Sequence, residues 1–144
     1  MNKKILYVGI IIVIIVLILL FININKNNKK KENINEIYWI NENGDKINSS
    51  KGIEETKNVQ DFSIEKSQIV RSNGVSTLTA KVINNGEDKA NVKFEVVFFD
   101  SENKEITKTK VLVGNIKKGS YAYINAGIST DISSANNISY SIIE

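Results

Sequence analysis

The chain has 144 residues, 24% of them charged, a formal net charge of +3 at pH 7, and no histidine, cysteine or proline. Without histidine or cysteine it has no Ser-His-Asp or Cys-His centre, no thiolate nucleophile and none of the usual zinc ligands. The charge divides as +6 over residues 1–31, −3 over 32–58 and zero over 59–144, so the domain lacks the basic face that a nucleic-acid partner requires.

Ile5 to Ile22 is one apolar run of eighteen residues without a charge. As a helix it rises about 27 Å at ~1.5 Å per residue, close to the hydrocarbon thickness of a bilayer. Apolar side chains on every face suit a helix bathed in lipid rather than one lying on its surface. We read residues 1–4 as a short tail and 5–24 as a single transmembrane helix. The run is longer than the ~7–15 residues of a signal-peptide core, and it leads into Phe21-Ile22-Asn23-Ile24-Asn25-Lys26 with no A-x-A-like cleavage site. A retained signal anchor is therefore expected. The lack of cysteine excludes lipoprotein attachment, and the lack of proline excludes a sorting signal of the LPxTG type.

Lys3 and Lys4 precede the run, and Lys26, Lys29, Lys30 and Lys31 follow it. Counted literally, the positive-inside rule would keep the domain in the cytoplasm. A short positive n-region followed at once by the apolar segment, together with the β-domain described next, argues instead for an extracytoplasmic domain on the cell membrane. The six lysines read as a flank that snorkels and meets anionic headgroups, with membrane lipid as the partner.

Residues 25–58 read as a polar stalk. Asn23 to Asn35 is rich in Asn and Lys and poor in apolar residues. Ile37-Tyr38-Trp39-Ile40 interrupts it and the turn signal Asn43-Gly44-Asp45 follows, so a short strand or hairpin is expected within 37–47. Trp39, the single tryptophan, reads as a packing residue, with a partner surface as the lesser reading. Asn48 to Asn58 reads as a polar connector.

From Val59 the pattern has period two. Phe62 and Ile64 alternate with polar neighbours, and Asn73-Gly74 forms a hairpin turn whose residues tolerate positive φ. Leu78, Ala80 and Val82 share a face, opposite Thr77, Thr79 and Lys81. Asn85-Gly86 reads as a second turn of the same kind. Ala90, Val92, Phe94, Val96 and Phe98 mark the longest and most apolar strand, the expected centre of the core. Asp100 to Lys104 is a polar turn, Ile106 to Val113 a strand, Ile116-Lys117-Lys118-Gly119 a corner and Tyr121 to Ile128 a strand. After a loop over 129–137, Ile138, Tyr140 and Ile142 share a face of the last strand. Short strands with turns every 8–12 residues and no helical period predict an antiparallel β-sandwich over 59–144.

The stretch Val96-Val97-Phe98-Phe99-Asp100, followed by a polar turn and Ile106, resembles the F-x-L-Y-D signature of the FxLYD domains of bacteria and archaea. Val82-Ile83-Asn84-Asn85-Gly86 is similar to that family's strand ending in N-N, and Ile116-Lys117-Lys118-Gly119 to its L-x-P-G corner. The departures are Val96 for Phe, Phe98 for Leu, Phe99 for Tyr and Lys118 for Pro. The resemblance covers about residues 60–143. It implies an immunoglobulin-like domain, often tethered to a membrane, in which Val96, Phe98, Phe99, Asp100 and Gly119 are structural.

Catalytic signals are weak. Ser63-Ile64-Glu65-Lys66 and Ser101-Glu102-Asn103-Lys104 match S-x-x-K but lack the S-D-N and K-T-G partners of that chemistry. Glu87-Asp88 and Glu102 with Glu105 read as solvated charge. Asp100, Glu102 and Glu105 lack the spacing of a calcium loop, and phosphate-binding glycine motifs are absent. Asn48-Ser49-Ser50 and Asn137-Ile138-Ser139 fit glycosylation acceptors by composition alone. We therefore expect a chain that is not an enzyme and holds no cofactor or metal: a membrane-anchored envelope protein displaying a binding or structural module for a protein or an envelope polymer. The alternative is an accessory or sensor subunit of a larger membrane complex. Only Gly9 in the apolar run is small, which favours a passive anchor over a helix-pairing one.

Overall fold

The computed structural model describes residues 37–143, which belong to one compact unit spanning 36–144. The expected transmembrane helix 5–24, the N-terminal part of the stalk, and Lys3, Lys4, Lys26, Lys29, Lys30 and Lys31 lie outside the described residues. Among the described residues no helix is long and apolar enough to cross a membrane.

The chain runs β1 (Trp39–Ile40), β2 (Lys46–Asn48), α1 (Lys51–Glu54), β3 (Lys57–Val59), β4 (Phe62–Ser72), β5 (Val75–Asn84), β6 (Lys89–Phe99), β7 (Glu105–Ile116), β8 (Tyr121–Ile128) and β9 (Asn137–Ile143). All pairings are antiparallel. One sheet has the order β1-β2-β4-β5-β8, with β3 pairing to the first part of β4, and the other has the order β7-β6-β9. This is the all-β sandwich expected from the period-two pattern.

Alternation places one row of each strand in a shared core. Leu78, Ala80 and Val82 of β5 are buried, as are Val92, Phe94, Val96 and Phe98 of β6 and Ile138 and Tyr140 of β9. Ala90 falls outside that row because Asn91 takes φ 54° and shifts the register of β6 against β7. Phe94 is the hub: its ring meets Phe62 of β4 edge-on at 5.6 Å and Tyr140 of β9 edge-on at 6.3 Å. Strand β6 is the middle strand of its sheet, although β7, with 12 residues against 11, is longer.

β4 changes face part-way. Phe62 and Ile64 point inward, then a bulge between Glu65 and Gln68 puts Lys66 at φ 53°, and beyond it Ser67 and Ile69 point inward. One extra residue on a strand inverts its alternation, so both halves of β4 reach the core.

Three further expectations are corrected. The segment Asn48 to Asn58 is part of the domain, not a free connector: Ile53 of α1 is fully buried, and the buried Asn48 Nδ2 donates to the carbonyls of Ser133 at 2.9 Å and Ala135 at 2.7 Å. Those partners lie more than eighty residues away, out of reach of local pattern. Trp39 is not packed; it is 54% exposed on the expected hairpin, β1-β2. Asn85-Gly86 is not a hairpin turn, because β5 and β6 belong to different sheets. Gly86 sits where an added Cβ would lie 2.5 Å from the Asp61 carboxyl carbon, so close approach and not positive φ requires the glycine.

Candidate binding surface

The residues of the sequence signature serve the fold. Val96 and Phe98 are fully buried, and the half-buried Phe99 accepts the Asn136 N–H on its carbonyl at 2.8 Å. Asp100 holds the β6–β7 turn: its Oδ1 accepts the N–H groups of Glu102 and Lys104, each at 2.9 Å. Gly119, at φ 69°, donates its N–H to the Asn84 carbonyl at 2.8 Å. The buried Asn84 side chain in turn donates to the carbonyls of Glu87 at 2.6 Å and Ile116 at 3.0 Å, tying the β5–β6 and β7–β8 crossings together. An N-N pair and a glycine thirty-odd residues apart in sequence thus make one corner.

The other polar candidates are also engaged internally. Ser63 Oγ donates to Asn58 Oδ1 at 2.9 Å and accepts from Asn85 Nδ2 at 2.8 Å, while Lys66 occupies the β4 bulge, so the first S-x-x-K match is strand chemistry. Ser101 to Lys104 is the β6–β7 turn. Glu87 pairs with Lys118 at 2.6 Å and Asp88 accepts the Lys118 N–H at 2.8 Å. Among the described residues no cluster of acidic side chains has metal-binding geometry, Asp100, Glu102 and Glu105 included. Asn48 is buried and hydrogen-bonded, which removes it as a glycosylation acceptor.

At the end of the sandwich that carries the β4–β5 turn, Asp131 gathers Lys46 Nζ at 3.3 Å and Arg71 Nε at 3.9 Å. Burial pushes its carboxyl upward, but hydrogen bonds from the Ser133 hydroxyl and N–H, with Lys46, outweigh that and hold it below the ordinary carboxylate value. Arg71 Nη1 also donates to Ser76 Oγ at 3.2 Å and the Ser129 carbonyl at 3.0 Å. This set closes the loop over 129–136 onto the larger sheet, with two cations sharing one carboxylate.

The large apolar side chains left exposed are Trp39, Ile40, Val75, Leu112, Tyr121 and Tyr123, and the two tyrosines form a pair. On β8, Tyr121 and Tyr123 are 58% and 66% exposed and meet edge-on with ring centroids 5.6 Å apart. Lys81 of the neighbouring β5 holds its Nζ 4.7 Å from the Tyr121 ring centroid, a cation–π contact. Register puts Ile83 beside Tyr121, Lys81 beside Tyr123 and Thr79 beside Asn125. The same outer face carries a second apolar row, Trp39, Ile47 and Val70, reaching Thr77 of β5. Flat rings with hydroxyl tips beside an ammonium can stack on a sugar ring or clasp an extended peptide, since they offer apolar area and polar handles together. Sequence reasoning counted Tyr121 to Ile128 as a strand and stopped there. Two tyrosines at i and i+2 on a strand whose other row is alanine and isoleucine were the available signal.

No protein family model matches this chain, and no curated protein matches it. Among solved structures it is similar to a DUF1425 family member from Shewanella sp. pv-4, with 8% identity and a TM-score of 0.40 over 74% of this chain and 94% of that one.

Proposed function

We propose that this chain is a single-pass, membrane-anchored protein of the cell envelope that displays a small non-catalytic module outside the cytoplasm and binds through the aromatic outer face of β8. The apolar run Ile5 to Ile22 and its lysine flank support the anchor. An immunoglobulin-like module of the FxLYD kind is supported by the strand order, β4-β5-β8 against β7-β6-β9, and by the core and turn roles of Val96, Phe98, Asp100 and Gly119. The observation that carries the binding half is the Tyr121–Tyr123 pair, two large aromatic side chains left exposed side by side on one strand. Large aromatic side chains pointing into water leave most of their apolar area unburied and anchor partners when covered.

The anchor is tested by washing membranes that contain the full chain with high salt and then carbonate: the chain stays in the pellet, and release of intact chain by salt would refute insertion. Protease added to intact cells removes the domain, and protection until lysis would reverse the orientation. The binding face is tested by retention of the chain on isolated envelope polymer. The Tyr121→Ala/Tyr123→Ala double variant loses at least ten-fold in retention while it still unfolds in one cooperative transition. Equal retention would remove this face as the site.

A further inference from the structure

The free edges of the two sheets are not alike. β7 carries Glu105, Lys108 and Lys110, and its ladder to β6 shifts register three times. β9 is uncharged, but α1 and β3 lie against its outer side: Gly52 of α1 approaches the Asn136 carbonyl too closely to admit a Cβ, and Lys57 of β3 donates to Asn137 Oδ1 at 3.1 Å. β1 is two residues long. These are the charges, bulges, coverings and short strands by which sheets protect their edges.

β8 has neither the charges, the bulge nor the shortness, although it contacts β7 of the other sheet. Its sequence, Tyr-Ala-Tyr-Ile-Asn-Ala-Gly-Ile, contains no charge and no proline, and its eight pairs with β5 run without a register shift. Among the described residues it pairs only with β5. The ladder fixes which groups are free. Asn84 N–H donates to Ser120 O at 3.0 Å, one step beyond the Ile83–Tyr121 pair, so the residues of β8 that bond to β5 are the even-numbered ones. The N–H and C=O groups of Tyr121, Tyr123, Asn125 and Gly127 therefore point out of the sheet edge.

We propose that β8 pairs edge to edge with β8 of a second copy, antiparallel about a two-fold axis, joining the larger sheets of the two molecules into one. A strand meeting its own copy this way satisfies the ladder reciprocally, as a closed isologous interface requires. Opposed residues in an antiparallel pair share a face, so Tyr121, Tyr123 and Asn125 meet one another on the outside, and Ala122, Ile124 and Ala126 meet along the core. Charge selects this edge for self-pairing. Two β7 strands would bring their Lys108 and Lys110 side chains together, whereas two β8 strands bring no charge to the seam. The nearest outward cation, Lys81, is one strand back, so the two copies' lysines stand roughly three strand spacings apart, ~14 Å, beyond the ~8 Å screening length of physiological salt. This inference concerns the edge of β8 and not its face. It sets the aromatic surfaces of two copies side by side in one strip.

The chain has no cysteine, so a single introduced thiol reports on the pairing without background. Cysteine is placed singly at each position from Tyr121 to Gly127 in the full chain, purified in detergent and mildly oxidised. Cross-linked dimer peaks at one position, the residue on the axis, and falls to either side. Leu112→Cys, as exposed at 67% but on β7, stays monomeric. In parallel, the sedimentation mass of the full chain corresponds to a dimer, and Asn125→Lys, which puts a charge on the seam, converts it to a monomer with an unchanged far-UV spectrum. A flat cross-linking profile, a Leu112→Cys dimer of equal yield, or a monomer whose β8 edge is occupied only by a peptide of another protein would overturn self-pairing. If polymer retention survives any of these results, the proposed binding face stands and the pairing alone has failed.

Discussion

The Ser67 hydroxyl lies 2.9 Å from the Tyr140 hydroxyl, sealed between the two sheets where β4 passes β9. The β4 bulge turns Ser67 inward to meet it, so a backbone irregularity and a buried polar pair form one device. Tyr140→Phe strands the serine hydroxyl, and Ser67→Ala strands the phenol; each costs about 1–3 kcal/mol. The double variant Ser67→Ala/Tyr140→Phe costs less than the sum, because residues sharing one bond are not independent. Denaturant melts of the domain spanning residues 36–144 measure all three.

The same pair sets an alkaline limit. Burial pushes the Tyr140 phenol up to about 12 from an ordinary 10.0, against the opposing pull of the Ser67 hydrogen bond. A folded state that holds its proton more tightly than the unfolded chain loses stability as pH rises above the unfolded value. The contribution is fully present below pH 10 and lost progressively between pH 10 and 12, roughly 2–3 kcal/mol in all at ~1.4 kcal/mol per unit. Melts at pH 9, 10 and 11 show wild type losing stability relative to Tyr140→Phe. Parallel pH profiles of the two would refute this coupling.

Phe94 is fully buried at the centre of the Phe62–Phe94–Tyr140 cluster, whereas Glu95 lies half-buried on the outer face, 3.9 Å from Lys108 Nζ and opposite Lys110 and Ser141 in register. Phe94→Ala costs about 3–5 kcal/mol through lost transfer energy and the cavity it leaves. Glu95→Ala stays within ~0.5 kcal/mol, because an ion pair on the solvated outer face, closed only at 3.9 Å, is worth little. Similar midpoint shifts for the two variants would mean that the register of β6 is wrong.

Gly86 and Asp61 decide a fourth test. A methyl at position 86 would meet Asp61 at its Cγ, 2.5 Å, and its Cβ, 2.7 Å, so the loop must move, at about 1–3 kcal/mol. If contact is the cause, Gly86→Ala is milder in an Asp61→Gly background than alone. A backbone-conformation cause would leave the cost unchanged.

The period-two pattern marked the cores of the long strands after Phe62, because a half-buried strand must alternate, as Leu78, Ala80 and Val82 of β5 and Phe94, Val96 and Phe98 of β6 do. It also placed the Asn73-Gly74 turn, where φ is 48° and 81°. Tertiary structure decided what depends on partners distant in sequence. Asn48 joined the domain because Ser133 and Ala135 offer it carbonyls more than eighty residues later, and Ile53 because α1 packs on β4 and β9. Gly86 is a glycine because Asp61 crosses it. The bulge at Lys66 and Ser67 inverts β4 so that both halves face inward, a switch that period counting reads as a break. Tyr121 and Tyr123 read as ordinary strand residues until the sheet order placed β8 at an edge. Alternation divides a strand into two faces, but which face is covered, and which edge is left open, is set by the order in which strands assemble.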